Sequence, residues 1–220
     1  MRSLSTREWM VAATVVPLGM VLAIGVAAAP GERLAVALRA TARWSFLWFS
    51  LASTGGALVT LFGARFQALA RRARDFGLAF ASAHLVHVGL VAFLLYMSAT
   101  PFPRWKLIFF GLGVFWVYSL ALLSIRRITE FLGIDPRTWR IVRSIGVEYI
   151  ALVFLFDFAP KPFYGGVANR LIYLPFFVMA IGGPLLRLAA AAKRLAGRRR
   201  VAAAGSEYAS NDLQKVEGVE

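Results

Sequence analysis

The only two histidines of the chain, His84 and His87, are three residues apart in an uncharged stretch that runs from Phe76 to Pro103. On a helix this spacing leaves the two side chains ~60° apart, so the imidazoles would share a face. An ionisable side chain inside a membrane helix costs about 2.5–3.5 kcal/mol by insertion scales and is therefore a candidate functional residue. Glu148 is a third candidate. Its expected depth is similar to that of His84, so a His84–Glu148 pair fits the geometry.

Two different roles fit these histidines. Two ligands on one helix face cannot lie on opposite sides of a flat macrocycle, so His84 and His87 cannot both be axial ligands of one haem. A haem on His87 would need its second ligand from another helix, and a His–Met haem would have to draw on Met10, Met20 or Met179. In the alternative role, each imidazole only forms a hydrogen bond to a neighbouring helix.

Several classes of function are excluded by what the sequence lacks. No glycine-rich dinucleotide motif, P-loop, H-E-x-x-H or G-x-S-x-G occurs, so the chain carries no flavin, NAD or nucleotide domain of its own. The absence of cysteine excludes disulfides, iron–sulfur clusters and thiol chemistry. Nucleic-acid binding is poorly supported, because the arginines are spread over many connections and do not form one face.

The composition indicates the elements that would carry these residues. Of the 220 residues, 59% are hydrophobic and only 16% are charged, whereas soluble domains average about 25% charged residues. The apolar residues form long uncharged blocks without the alternation over ~10 residues that marks a membrane β-barrel. We therefore predict an all-α, polytopic membrane bundle. The net charge of +14 suggests membrane lipids with anionic headgroups as partners.

A helix needs ~20 apolar residues to cross a bilayer. Six segments are predicted to do so, near residues 9–29, 44–63, 77–98, 107–124, 139–158 and 171–192. The fifth is the weakest, since it contains Glu148. Residues 201–220 are polar and are predicted to form a disordered cytoplasmic tail. The first segment could instead be a cleaved signal peptide, although its apolar run exceeds the 7–15 residues typical of such a core.

Counting basic residues predicts the orientation. Eighteen lysines and arginines lie on the side that holds both termini and seven lie on the other side. The positive-inside rule then places both termini in the cytoplasm, and we expect a multi-pass protein of the inner (plasma) membrane. Arg143 is expected to extend to the cytoplasmic headgroups. Small residues four apart, such as Ala52 with Gly56 or Ser53 with Ala57, indicate close helix packing.

Three short motifs carry a family resemblance. Thr41-Ala42-Arg43 precedes the second segment, Arg74-Asp75-Phe76-Gly77-Leu78 leads to His87, and a basic stretch precedes Trp139. Across residues 41–158 this order resembles the ferric-reductase-like transmembrane family, and within it the haem-binding membrane subunits of bacterial methionine sulfoxide reductase systems. The resemblance implies a conduit that carries electrons from quinone through b-type haem to a redox partner protein. His87 matches a haem-ligand position, and His84 is an addition.

The resemblance breaks in the fifth segment. The family has one histidine four residues after the tryptophan and another thirteen further on, and these positions are Arg143 and Phe156 here. Two hypotheses follow. The chain is an electron-transfer subunit, without a catalytic domain of its own, that holds haem iron through His87 and an unidentified second ligand. Alternatively, it is a haem-less scaffold, assembly factor or small transporter in which His84, His87 and Glu148 form a polar cluster.

Overall fold

The computed structural model of the chain describes residues 5–98, 101–164 and 166–217, and it describes side chains as far as residue 200, with the exception of Arg126. These residues form helices and no strand. The helices are α1 (Thr6–Ala27), α2 (Arg33–Phe62), α3 (Gln67–Arg71), α4 (Ala73–Met97), α5 (Arg104–Leu123), α6 (Arg126–Phe131), α7 (Pro136–Phe158) and α8 (Val167–Glu217). Short 3-10 turns at Ala64–Phe66 and Lys161–Phe163 lie in two of the connections.

Among the described residues, five helices are long and apolar enough to cross a membrane: α1, α2, α4, α5 and the Val167–Arg200 part of α8. Many of their large apolar side chains are exposed, as is typical of a surface that faces lipid. The predicted all-α, multi-pass membrane protein is confirmed at this level. The remaining predicted segment, the fifth, is α7, which has 23 residues but carries charged side chains and is not one of the five.

Two helices extend beyond the predicted segments. α2 begins at Arg33 and not near residue 44, because its arginines fold back on the helix: Arg39 Nε donates to the Ala35 carbonyl at 3.0 Å and Arg43 Nε to the Arg39 carbonyl at 3.1 Å. α8 continues to Glu217, where a disordered tail was predicted from residue 201. Its later part is rich in alanine and long straight side chains, which are strong helix formers.

The helices pack around α2, which contacts α1, α3, α4 and α8, while α7 lies against α5 and α8. Phenylalanines fill the core between α2, α4 and α7. The ring centroid of Phe46 is 4.9 Å from that of Phe154 and 5.0 Å from that of Phe158, and Phe49 is 5.4 Å from Phe80. This aromatic core lies beside the two histidines in the middle of α4.

Glycines allow two close approaches between helices. A Cβ on Gly146 of α7 would lie 2.6 Å from the Trp116 ring of α5, and a Cβ on Gly55 of α2 would lie 3.1 Å from the backbone of Ala70. Gly56, which the spacing predicted as a packing residue, is exposed, with nothing within 4 Å of such a Cβ. Ala57, which belongs to the second predicted pair, is buried. Gly55 and Ala57, and not Gly56, are therefore the small residues that this part of α2 buries.

The N-terminus of α7 is capped by Asp135. Its carboxylate accepts hydrogen bonds from the backbone N–H groups of Arg137 and Thr138, at 2.8 and 3.0 Å. Hydrogen bonds from the Thr138 side chain and backbone, and then from the Arg137 backbone, hold the pKa of the Asp135 carboxyl below its usual value because they stabilise the charged form. This cap fixes where α7 starts.

Candidate functional site

His84 and His87 lie side by side on α4, as their spacing predicted. Their ring centroids are 5.3 Å apart and the ring planes are inclined by 30°. Both side chains are partly buried, and the elements around them are α2 and α7. The pair therefore occupies the interior of the bundle beside the aromatic core.

A hydroxyl group on α2 fixes His87. The distance between Thr41 Oγ1 and His87 Nδ1 is 3.0 Å, and Thr41 Oγ1 also lies 2.9 Å from the Ala37 carbonyl of its own helix. A hydroxyl has one hydrogen, and the carbonyl can only accept it. We therefore assign the Nδ1–H of His87 as the donor to Thr41, which leaves the Nε2 lone pair of the neutral ring free of this contact.

The same arrangement recurs one helical turn later. Ser45 Oγ lies 3.0 Å from the Ala42 carbonyl and 3.3 Å from His84 Nδ1. By the same argument, the Nδ1–H of His84 is the donor to Ser45, and its Nε2 takes no part in this contact. Thr41 and Ser45 are fully buried. Neither residue is ionisable, so the rarity of charge in apolar stretches does not single them out. The signal that could have found them is a pair of hydroxyl residues four apart on one face of an apolar helix.

Aromatic rings enclose His84. Its centroid is 5.3 Å from that of Phe80, one turn earlier on α4, and 6.1 Å from that of Phe154 on α7. Phe154 also stacks on Phe158, at 6.0 Å and 10°. The side of His84 towards α7 is thus packed with hydrocarbon.

Beyond His87 lies a group of charged residues at the C-terminal end of α7. Lys161 Nζ pairs with both carboxylate oxygens of Asp157, at 2.8 and 2.9 Å, and lies 5.2 Å from the centroid of Tyr173. The Arg43 guanidinium lies 4.9 Å from the same ring. The buried hydroxyl of Tyr173 has no partner within the described residues.

Glu148 does not join the histidines. Its carboxylate accepts two hydrogen bonds from Arg187 of α8, at 2.6 Å from Nε and 2.7 Å from NH2. The predicted His84–Glu148 pair is therefore wrong, because a cation on α8 provides a bidentate partner that an imidazole cannot match. The same finding removes Glu148 from the predicted polar cluster and leaves hydroxyl groups as the partners of the histidines.

The contacts of His87 with Thr41 and His84 do not identify a second axial ligand for haem iron. Within the described part of the chain, no group of three or more His, Cys, Asp or Glu side chains could hold a metal ion. Towards α7, His84 meets Phe154, which cannot ligate iron and is stacked on Phe158. A haem on His87 would need its second ligand from another residue.

Arg143 and Phe156, which stand at the positions where the resemblance implies haem ligands, make contacts of other kinds. Phe156 packs on α5, with its ring centroid 5.3 Å from that of Phe109 and 6.0 Å from that of Trp105. Arg143 lines a separate cavity near the start of α7. Comparisons with protein-family models, with curated proteins and with solved structures found no match.

Proposed function

We propose that this protein is a haem-free relative of the ferric-reductase-like membrane proteins and that its bundle serves as a membrane scaffold for a partner subunit. One observation carries the proposal: Thr41 and Ser45 of α2 hold the two histidines, and the ring of His84 also packs on Phe154 of α7. Within the described residues, the side-chain hydrogen-bond partners of both imidazoles are hydroxyl groups. Such a site connects helices, and it offers no second ligand to a metal.

The proposal includes a topology. We propose that α7 completes a set of six membrane spans, with both termini in the cytoplasm of a cell bounded by an inner (plasma) membrane. The excess of basic residues on one side supports this orientation. The side of the bundle that bears Lys161 would then face away from the cytoplasm.

The histidines have a clear structural role in a scaffold. Side-chain hydrogen bonds between membrane helices stabilise a bundle by about 0.6 kcal/mol each on average. Two of them join α2 to α4 at successive turns. Together they fix the rotation of α4 relative to α2, which a purely apolar contact would leave less defined.

A second candidate function, electron transfer through a b-type haem, is favoured by one feature of His87. Ligating histidines usually donate their other ring N–H to a neighbouring acceptor, which fixes the tautomer. Thr41 provides this acceptor for His87. A haem would supply one-electron chemistry, with quinone and a redox partner protein as the exchange partners.

Absorption spectra separate the two candidates. The full chain is purified in detergent from haem-replete cells, and spectra are recorded in the oxidised and reduced states beside those of His87→Ala and His84→Ala. We expect no Soret band in any of the three. A Soret band that is present in the parent and in His84→Ala, but absent in His87→Ala, would overturn the scaffold proposal in favour of haem.

Transport is tested separately. The purified chain is reconstituted into vesicles that contain a pH-sensitive dye, and a pH gradient is applied across the membrane. We expect the gradient to decay no faster than in protein-free vesicles. A faster decay that His84→Ala abolishes would mean that the histidine pair moves protons, and the scaffold proposal would fail.

A further inference from the structure

A cavity of about 600 Å³ lies at the N-terminal end of α4, remote from His87. Its wall combines residues of α2, α3, α4, α5 and α7, and it is open on one side. Phe80 forms part of this wall and packs against His84, so the cavity ends where the histidine pair begins. The volume falls within the range of about 300–1,000 Å³ that is typical of small-molecule sites.

Three arginines give the cavity its charge. Arg71, Arg74 and Arg143 line it, and none of the described residues in its wall is acidic. Arg74 donates from Nε to the Ser124 carbonyl at 3.0 Å, which orients its guanidinium. Within the described part of the chain, the side chains of Arg71 and Arg143 have no hydrogen-bond or ion-pair partner. The cavity wall thus carries three positive charges, from α3, α4 and α7, and no negative charge among the residues that line it.

The remainder of the wall is mainly hydrocarbon. Val117, Leu120 and Ala121 of α5 face Val147 and Ile150 of α7. Trp139 lies in the wall close in sequence to Arg143, and indole rings favour the headgroup level of a bilayer. A ligand that satisfies this surface must be anionic at one end and apolar along its length.

We propose that this cavity binds one anionic phospholipid, with its phosphate among Arg71, Arg74 and Arg143 and an acyl chain against the apolar wall of α5 and α7. Guanidinium groups suit phosphate because their planar N–H donors match its oxygens. A soluble anion would leave the apolar wall without contact, whereas a zwitterionic lipid would bring a cation towards the arginines. The inference is independent of the proposed scaffold function.

Quenching of Trp139 fluorescence tests the site. The full chain is reconstituted in phosphatidylcholine vesicles that contain a minor fraction of either phosphatidylglycerol or phosphatidylcholine with brominated acyl chains. The Trp139 signal is the difference between the parent and Trp139→Phe. We expect brominated phosphatidylglycerol to quench this signal more strongly than brominated phosphatidylcholine at the same fraction.

A matched pair of variants separates the cavity from general surface charge. The double variant Arg71→Gln/Arg143→Gln removes two arginines of the wall. The control variant Arg72→Gln/Arg140→Gln also removes two arginines. These are close in sequence to Arg71 and Arg143 but do not line the cavity. We expect the first pair to reduce the preference for phosphatidylglycerol by about thirtyfold, since each basic residue contributes about fivefold near an anionic surface. The second pair should leave it within about twofold. Equal losses in the two pairs would overturn the proposal.

Two further measurements address the lipid chain. Ala121→Phe fills the cavity without a change in charge and should abolish the preferential quenching, and unchanged quenching would show that the lipid does not enter. Inorganic phosphate in excess should not restore the Trp139 signal. Restoration by phosphate would mean that the arginines take a soluble anion, and the assignment of a phospholipid would be wrong.

Discussion

Thr41 and Ser45 each donate their single hydroxyl hydrogen to a carbonyl of α2 and offer the oxygen to a histidine of α4. The two hydroxyl groups are therefore acceptors of defined direction in an otherwise apolar region. Because each is already satisfied by its own helix, neither needs the histidine. The histidines, in contrast, depend on the hydroxyl groups for their Nδ1–H.

This dependence predicts the effect of Thr41→Val. Valine has nearly the same shape but no acceptor, so the Nδ1–H of His87 loses its side-chain acceptor, and we expect a loss of about 1 kcal/mol in the free energy of unfolding. Thr41→Ser keeps the acceptor and should retain more of the stability. Unfolding of the two variants in mixed micelles of increasing denaturing detergent measures the difference. If valine were no worse than serine, the hydrogen bond would contribute nothing.

The Glu148–Arg187 pair is asymmetric in its exposure. The side chain of Glu148 is 47% exposed, whereas that of Arg187 is 16% exposed and its NH1 has no partner within the described residues. Loss of the carboxylate thus leaves a largely buried cation. Loss of the arginine leaves a carboxylate whose side chain is already about half exposed.

We therefore expect Glu148→Gln to lower the free energy of unfolding by about 1–2 kcal/mol, less than for a fully buried pair. Arg187→Gln should cost less than Glu148→Gln, and the double variant should recover part of the loss. Thermal unfolding of the three variants in one detergent tests this order. A larger loss for Arg187→Gln would contradict it.

Only those residues of the site whose type or spacing is unusual for an apolar stretch could be predicted from the sequence. The histidines were found because ionisable residues are rare in apolar stretches, and their shared face followed from helical spacing. The partner of Glu148 was not predictable, since Arg187 lies 39 residues away on a helix whose rotation is set by packing. His84 had been expected as the partner of Glu148 only because the two residues were predicted to lie at a similar depth in the membrane.

At the scale of helices, the apolar blocks predicted where the membrane spans lie. The charged residues beside these blocks made the ends of the helices harder to predict. The predicted start of α2 near residue 44 followed from the arginines before it, yet the helix accommodates them by hydrogen bonds to its own carbonyls. Prolines marked two ends: α4 ends at Met97, shortly before Pro101, and α5 begins at Arg104, directly after Pro103. Prolines are not sufficient markers, however, because Pro17 lies inside α1, and Pro175 and Pro184 lie inside α8. In a membrane bundle, neighbouring groups can satisfy the carbonyl that a proline leaves unpaired.

Adjacent glycines on α2 provide a matched test of helix packing. Gly55→Ala should destabilise the bundle by about 1–3 kcal/mol, because the new Cβ meets backbone atoms of Ala70 and Leu69 that cannot move independently. Gly56→Ala meets nothing and should be neutral or slightly stabilising, since alanine is the better helix former. Thermal unfolding of the two variants is the measurement. Similar effects at both positions would mean that α3 does not pack on this face.

For the whole molecule, the status of α7 decides the topology. Its 23 residues would extend about 35 Å, enough for a hydrocarbon core of about 30 Å. Its charges are the objection to a membrane span. Three of them, Arg137, Arg140 and Arg143, lie in its N-terminal third, from where long side chains can reach the headgroups. The two carboxylates are paired, Glu148 with Arg187 and Asp157 with Lys161. No charge of α7 need therefore face hydrocarbon alone.

A sixth span makes a sharp prediction, because the chain has no cysteine of its own. Leu132→Cys and Tyr164→Cys place single thiols at exposed positions on either side of α7. In intact cells whose outer barrier is permeable to a membrane-impermeant maleimide, we expect Tyr164→Cys to react and Leu132→Cys to react only after lysis. Ala64→Cys, in the connection after α2, should behave like Leu132→Cys. If the thiols on the two sides of α7 reacted alike, the helix would not cross, and α8 would then carry the C-terminus, against the excess of positive charge, to the opposite side of the membrane.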